Sequence, residues 1–268
     1  MRDQNPTEHD VYTAGRQEET QRICHLDRSA EREAEGPAVL IAPWWHTVLL
    51  IIPLLAFSIL GSFRPTNHAL SQHHIAQYLV TLAWEWILAA LVLWGIRMRR
   101  VPLRQLLGRR RPRLSDWRDD ILFAAAFWIV AILILAVIGI LFRLVHLSTP
   151  QKTLAQLAPQ NGFELLLWVI LSISAGICEE LTFRGYLLQQ FSRTGRSISI
   201  GVLASSLLFG VSHGYEGVAG IIAITIYGAL FCVLAIKRDS LRPGMMAHAW
   251  HDIFSGIALM FLKHARLF

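Results

Sequence analysis

The chain alternates between long apolar runs and short polar segments. Four runs of about 20 residues are almost purely apolar, at 38–60, 75–96, 121–142 and 218–236. Three further runs, at 163–188, 198–213 and 241–262, are apolar but are interrupted by ionisable side chains. A helix of about 20 apolar residues is long enough to cross the hydrocarbon core of a bilayer. The pattern therefore predicts an all-α, polytopic transmembrane helix bundle of about seven spans.

Residues 1–37 have a different composition. They contain five Arg and nine acidic residues and show almost no apolar periodicity, which predicts a polar, disordered N-terminal tail. No apolar core of the signal-peptide type occurs before residue 38, so the first run is interpreted as a retained anchor. We therefore expect two parts, the tail at 1–37 and the transmembrane bundle at 38–268.

The overall composition supports a membrane protein. Apolar residues make up 54% of the chain and charged residues 16%, with a mean hydropathy of +0.43, whereas a soluble domain carries about 25% charged residues. The three cysteines, Cys24, Cys178 and Cys232, are scattered along the chain. Their spacing supports neither a disulfide framework nor a metal site built from cysteine pairs.

The net charge of +6 is explained by membrane topology. If the N-terminus is cytoplasmic, 20 of the 25 Lys and Arg residues fall in segments on the inner side and 5 on the outer side. This is the bias expected of membrane proteins. The nine Arg between Arg97 and Arg118 are interpreted as contacts with anionic lipid. The expected location is a bacterial cytoplasmic membrane, with lipid and no nucleic acid as a partner.

Ionisable side chains inside the apolar runs are the candidates for chemistry, because each costs about 2.5–3.5 kcal/mol on insertion scales. They are Glu85, Glu179, Glu180, Arg184, His213, His248 and Asp252. Glu180 and Arg184 are four residues apart and can pair on one helix face, whereas Glu179 points elsewhere. An unpaired carboxylate there suits a general acid or base. Polar contact between helices is the alternative, and we prefer it for Glu180 and Glu85.

Two later segments carry the histidines. Phe209 lies one helical turn before His213 and can orient its ring by packing, although a lone buried His is more often a packing residue. His248 and Asp252 are four residues apart and share a face, with His251 about 60° to one side. At a rise of about 1.5 Å per residue, Glu179, His213 and the His248 face reach the membrane interior. The spacing therefore predicts one site within the bilayer.

These three segments resemble the motifs of the CPBP family, the CAAX protease and bacteriocin-processing (Abi) intramembrane proteases. The family pattern is Glu-Glu-x-x-x-Arg, then Phe-x-x-x-His, then His-x-x-x-Asn/Asp, on successive transmembrane helices. This chain has all three in order: Glu179, Glu180 and Arg184, then Phe209 and His213, then His248 and Asp252. The resemblance covers about 163–256, whereas the tail and the first two spans carry no family signal.

The resemblance implies hydrolysis of a peptide bond of a membrane-associated protein or peptide. In that mechanism Glu179 activates a water molecule with help from His213, while His248 and Asp252 stabilise the oxyanion. The remaining motif residues, Glu180, Arg184 and Phe209, support the site. One branch of the family has Asn at the position of Asp252. Because an ionised Asp cannot donate a hydrogen bond, orientation of His248 is an equally good role for Asp252.

Three alternatives accompany this interpretation. Glu179, His213 and His248 could hold zinc in a metalloprotease, but each ligand would come from a different helix, and the metal-free glutamate mechanism is favoured. A non-catalytic scaffold or bacteriocin-immunity protein of the same family could bind a peptide without cleaving it. A proton-coupled transporter could use Glu85, Glu179 and the histidines as a proton relay, although no repeat symmetry in the sequence supports it.

Overall fold

The apolar runs form helices because a backbone in lipid must satisfy its hydrogen bonds internally. The computed structural model describes residues 39–62, 74–108, 114–147 and 157–264. Its helices are α1 (Trp44–Ser62), α2 (His74–Met98), α3 (Leu103–Leu107), α4 (Leu114–Leu144), α5 (Gly162–Glu179), α6 (Leu188–Thr194), α7 (Ile198–Ser212), α8 (Gly217–Arg238) and α9 (Arg242–His264). No strand occurs in these residues, so the all-α prediction is confirmed. The predicted tail lies outside them.

Helix length and composition agree with a polytopic bundle. Five helical stretches are long and apolar enough to cross a membrane: Trp44–Ser62, His74–Met98, Ser115–Leu144, Gly162–Thr194 and Gly214–Arg238. The other two predicted spans correspond to α7, a shorter apolar helix of 15 residues, and to α9, which carries the polar His248 segment. The protein is thus an integral, multi-pass membrane protein.

One long helix changes its winding in the middle. Gly162–Thr194 is continuous, but Glu180–Leu187 winds as a π-helix between α5 and α6. All eight residues of the π-helical segment are buried. The sequence analysis predicted an unbroken α-helix here, because a shift from i→i+4 to i→i+5 bonding leaves no trace in hydrophobic periodicity. Such segments are rare and occur frequently at functional sites.

Helix α4 shows which surface faces lipid. It packs against α8 and α9, and only 11% of its most apolar window is buried. Large apolar side chains such as Leu133, Val137 and Ile140 are exposed along it. In water this surface would be an aggregation liability, whereas in a bilayer it is solvated by lipid tails. The exposed apolar surface is therefore a consequence of the membrane environment.

A buried polar network attaches α1 to the π-helical segment. The two ring nitrogens of His46 lie 2.9 Å from the Tyr186 hydroxyl and 2.9 Å from the Leu91 carbonyl oxygen. The same hydroxyl lies 2.9 Å from Oγ1 of Thr47, which also accepts a hydrogen bond of 3.1 Å from the Gln190 amide. Because these groups are buried among apolar helices, breaking one bond leaves an unsatisfied polar atom. The network therefore fixes α1 and α2 against the centre of the bundle.

Helices α5 and α9 approach closely at Gly176. A Cβ atom on Gly176 would lie 2.6 Å from the Met245 carbonyl oxygen and 3.0 Å from the Ala249 backbone nitrogen. Both neighbours are backbone atoms of α9, so they cannot move away without separating the helices. Small residues allow this kind of contact between membrane helices. The approach places the end of α5 beside His248.

We expect Gly176→Ala to destabilise the protein by about 1–3 kcal/mol, because the added methyl forces α5 and α9 apart. Thermal unfolding of the purified protein in detergent micelles measures this change. Gly139→Ala on α4 is the matched control, since nothing lies within 4 Å of its Cβ position. It should be neutral or slightly stabilising. Equal unfolding temperatures for the two variants would contradict the close-packing interpretation.

Candidate active site

Glu180 lies at the start of the π-helical segment and joins two basic side chains. Its Oε1 accepts a hydrogen bond of 2.9 Å from Nη1 of Arg184 and one of 3.0 Å from Nδ1 of His248. The side chains of Glu180 and Arg184 are each 1% exposed. A carboxylate buried among apolar helices requires such partners. The predicted pairing of Glu180 with Arg184 is present, and His248 joins it from α9.

The Arg184 guanidinium is held on several sides. Its Nη2 donates to the Gly228 carbonyl oxygen at 3.3 Å, and its carbon lies 4.3 Å and 4.9 Å from the ring centres of Phe209 and Phe231. Aromatic faces stabilise a cation at these distances. Phe209 therefore serves Arg184 as well as the neighbouring histidine, a second contact that its sequence position did not reveal.

His248 is the centre of the cluster. Its Nε2 lies 3.7 Å from Oε2 of Glu179 and 3.7 Å from Oδ2 of Asp252. Because a carboxylate oxygen only accepts, the bond to Glu180 requires the hydrogen on Nδ1. Nε2 is then the nitrogen that faces the other two carboxylates. Three of the four predicted catalytic residues, Glu179, His248 and Asp252, are therefore brought together.

Glu179 and Glu180 have separate surroundings although they are adjacent in the chain. Oε2 of Glu179 is buried and has no hydrogen-bond partner among the described residues, yet 18% of the side chain is exposed. Successive residues of a helix diverge by about 100°, so only one of the two can point at Arg184. Glu179 is the carboxylate that remains available for chemistry.

His213 lies at the end of α7, close to the cluster but not joined to it. Its Nδ1 donates to the Phe209 carbonyl oxygen at 2.9 Å, and the two rings are 4.9 Å apart in a T-shaped arrangement. Within the described ranges, no hydrogen bond or ion pair connects His213 to Glu179 or His248. It does interact electrostatically with Asp252. The predicted contact between Phe209 and His213 is present.

His251 lies beside the cluster and takes no part in its hydrogen bonds. Its ring centre is 5.0 Å from that of Tyr227.

Asp252 is held through its backbone, because Nε1 of Trp168 on α5 donates to the Asp252 carbonyl oxygen at 2.8 Å. A side chain on Gly256 would overlap the Trp168 indole. Trp168 was not identified from the sequence, where it resembles any other aromatic residue of a membrane helix.

Two acidic residues outside the motifs also lie near the cluster. Glu85 on α2 is 4% exposed and its Oε2 has no hydrogen-bond partner in the part of the chain that the structure describes. It interacts electrostatically with Glu179, His248 and Asp252. Glu216 interacts with His213 and Glu179 in the same way. The sequence analysis treated Glu85 as a contact between helices and did not consider Glu216.

The zinc alternative requires Glu179, His213 and His248 to converge on one ion. Across the described ranges, no group of three His, Cys, Asp or Glu side chains is arranged to hold a metal ion. The Nδ1 atoms of His213 and His248 are engaged by Phe209 and Glu180, so a metal ion would have to bind through their Nε2 atoms. The three side chains do not converge in this arrangement, and the choice of the metal-free mechanism stays a prediction.

Comparison with known families identifies the part of the chain that carries the site. Residues 159–254 match the family model of the type II CAAX prenyl endopeptidases described as Rce1-like. This segment, 96 of the 268 residues, is similar to that family and is called the Rce1-like segment below. The resemblance inferred from the three motifs is therefore confirmed, with nearly the limits predicted. No significant match was found among curated proteins or among solved structures.

The Rce1-like segment contains every motif residue from Glu179 to Asp252. Helices α1 and α2, with Glu85 and the polar network around His46, lie before it. At the level of the family, the match supports a CAAX-protease-like intramembrane endopeptidase. Such an enzyme acts on membrane-associated peptides in a lipid environment.

We expect Arg184→Met to destabilise the protein by about 3–5 kcal/mol, because it leaves the Glu180 carboxylate buried without its cationic partner. The double variant Glu180→Gln/Arg184→Met should recover part of that loss, since it removes both charges and still leaves an acceptor for His248. Thermal unfolding in detergent micelles measures both effects. A double variant that is less stable than Arg184→Met would contradict a buried ion pair.

Proposed function

We propose that this protein is an intramembrane endopeptidase in which Glu179 activates the hydrolytic water molecule. The observation that carries the proposal is the environment of the Glu179 carboxylate. Its buried Oε2 is without a hydrogen-bond partner among the described residues and lies 3.7 Å from Nε2 of His248, inside the Rce1-like segment. A carboxylate kept free of partners beside a histidine suits a general base.

The reaction follows from these groups. Glu179 removes a proton from water as the water oxygen attacks the carbonyl carbon of the peptide bond. The tetrahedral intermediate carries the negative charge on the former carbonyl oxygen. Glu179 then returns the proton to the leaving nitrogen, the C–N bond breaks, and the products are a carboxylic acid and an amine. The acid then passes its proton to the amine, which leaves a carboxylate and an ammonium group. One group serves first as the base and then as the acid, so atoms and charge balance.

His213 would assist at the same water molecule. A carbonyl oxygen cannot donate, so the contact with Phe209 places the hydrogen of the neutral imidazole on Nδ1. Nε2 then carries the lone pair and can accept a hydrogen bond from water. The T-shaped contact with the Phe209 ring holds the imidazole plane. The backbone carbonyl and the ring of Phe209 thus support this tautomer and orientation of His213, together with the Ser212 hydroxyl 3.3 Å from Nδ1.

His248 would stabilise the oxyanion. When the imidazole is protonated it carries a hydrogen on each ring nitrogen, so Nε2 can donate to the developing negative charge while Nδ1 stays bound to Glu180. Asp252 flanks this nitrogen at the same distance as Glu179. That geometry favours the orientation role of Asp252 over direct donation, because an ionised carboxylate attracts the Nε2 proton but cannot itself donate to the oxyanion.

We also propose that the N-terminus faces the cytoplasm. Asp120 at the start of α4 is 1% exposed and accepts bonds of 3.1 Å from Arg238 and 2.6 Å from Arg242. These contacts gather α4, α8 and α9 at the end of the bundle where α4 begins, and the start of α4 belongs to the Arg-rich sequence 97–118. Basic residues accumulate on the cytoplasmic side of membrane proteins.

We expect Glu179→Gln to lower kcat for cleavage of a membrane-associated peptide by about 10²–10⁴-fold, because the amide cannot accept the water proton. The protein is purified, reconstituted into lipid vesicles and assayed with prenylated and unprenylated peptides, with products identified by mass. Thermal unfolding should match that of the wild type.

Glu164→Gln is the matched control for Glu179→Gln. Glu164 lies on the same helix, in its first turn, where it contacts His74 at 3.0 Å and takes no part in the cluster. Its variant should retain kcat. A wild-type rate for Glu179→Gln would overturn the glutamate mechanism. Peptide binding without any cleavage by the wild type would indicate the scaffold function, and ion-driven uptake without cleavage would indicate a transporter.

Removal of divalent metal should leave the rate unchanged. The reconstituted enzyme is titrated with a metal chelator, and the rate is followed before and after zinc is returned. Because the candidate ligands do not converge on a metal site, the expected titration is flat. A loss of activity that zinc restores would replace the glutamate mechanism by metal-assisted hydrolysis.

A further inference from the structure

The segment that carries His213 is a helix end rather than a helix interior. Helix α7 ends at Ser212, and the short 3-10 helix Gly214–Glu216 follows His213 directly. The last carbonyl groups of a helix have no partner within it, so their hydrogen bonds must come from elsewhere. Without such hydrogen-bond partners, the backbone conformation next to His213 is not fixed.

Ser58 on α1 supplies a partner for one of these carbonyl groups and for one backbone N–H group just beyond the helix. Its hydroxyl donates to the Val211 carbonyl oxygen at 2.6 Å and accepts from the Gly214 backbone nitrogen at 3.0 Å. Ser58 is 3% exposed. One hydroxyl therefore binds the chain two residues before His213 and one residue after it, using both its donor and an acceptor lone pair.

Gly214 provides the space that these bonds require. A Cβ atom on Gly214 would lie 2.7 Å from Oγ of Ser58. A side chain here would push the hydroxyl away from the Gly214 backbone nitrogen. The residue that follows His213 is thus small at the point where α1 approaches. This is an independent indication that α1 packs closely against the backbone around His213.

The position of Ser58 distinguishes it from the motif residues. It belongs to the first membrane helix, about one hundred residues before the Rce1-like segment begins at residue 159. The sequence analysis found no functional signal there. Nevertheless its hydroxyl is bonded to the backbone on both sides of a proposed catalytic histidine, whereas Phe209 holds only the ring of that residue.

We infer that Ser58 is a positioning residue for His213, acting through the backbone at Val211 and Gly214. The inference rests on the proposed role of His213 at the hydrolytic water molecule. Loss of the hydroxyl leaves two backbone groups without partners in an apolar environment, and the segment shifts to satisfy them. A displacement of about 1 Å at a catalytic group can cost 10²-fold in rate.

The first test compares three serine variants in the reconstituted cleavage assay. Ser58→Ala should lower kcat by about 10- to 100-fold with little change in KM, because His213 is misplaced while the peptide-binding surface is intact. Ser58→Thr keeps the hydroxyl and should retain most of the rate. Ser62→Ala is the matched control: this hydroxyl, one turn further along α1, donates only to the Ser58 carbonyl oxygen, and its loss should leave kcat unchanged.

Gly214→Ala tests the same contact from the other side. The added methyl displaces the Ser58 hydroxyl, so the variant should reproduce the loss of kcat seen in Ser58→Ala. Combining the two changes should lower kcat little further, since both remove the same bonds. Wild-type kcat in Ser58→Ala, or a combined effect equal to the product of the two, would overturn the inference.

A double-mutant cycle with His213→Gln separates the inference from the function on which it rests. If Ser58 acts through His213, Ser58→Ala should have no further effect once the imidazole is absent. Independent, multiplying losses would show that Ser58 acts elsewhere. A wild-type rate in His213→Gln alone would refute the proposed role of His213. If each single variant lowers kcat and the double variant shows the product of the two losses, only the positioning role of Ser58 is refuted.

Discussion

A carboxylate buried among apolar helices needs hydrogen-bond donors, and in this bundle Glu180 has two. One carboxylate oxygen accepts from Arg184 at 2.9 Å and from His248 at 3.0 Å. Because Arg184 lies in the same helix and His248 in α9, this oxygen connects the π-helical segment to the last helix. The close approach at Gly176 allows the connection, and the Phe209 ring lies against the Arg184 guanidinium. The geometry of the site depends on this shared acceptor.

The pairing of Glu180 also explains why its neighbour is available. Two adjacent carboxylates in one helix point in different directions. Arg184 and Nδ1 of His248, which donate hydrogen bonds to Glu180, therefore do not donate to Glu179. Glu179 is left beside Nε2 of His248 at 3.7 Å, beyond hydrogen-bonding distance. The two residues of the Glu-Glu pair therefore have different surroundings, and the proposed mechanism assigns the water molecule to Glu179.

The helices before the Rce1-like segment contact or lie near the proposed site. Ser58 on α1 bonds to the backbone around His213, and Glu85 on α2 shares the electrostatic environment of Glu179 and Asp252. The network of His46 and Tyr186 attaches both helices to the π-helical segment. An account of activity limited to the motif residues would omit these contributions, which belong to a part of the chain that the family match does not cover.

The sequence by itself determined the helices and the pairs within each helix. Apolar runs of membrane-spanning length specify α1, α2, α4, α5 and α8, and i,i+4 spacing specifies the pairs Glu180–Arg184 and Phe209–His213, because both follow from local geometry. Only the tertiary structure decided which helices meet. The bond from His248 to Glu180, the contact of Ser58 with Gly214 and the engagement of Asp252 by Trp168 each join residues more than sixty positions apart. Such contacts depend on how closely helix backbones approach, which periodicity along one chain does not encode.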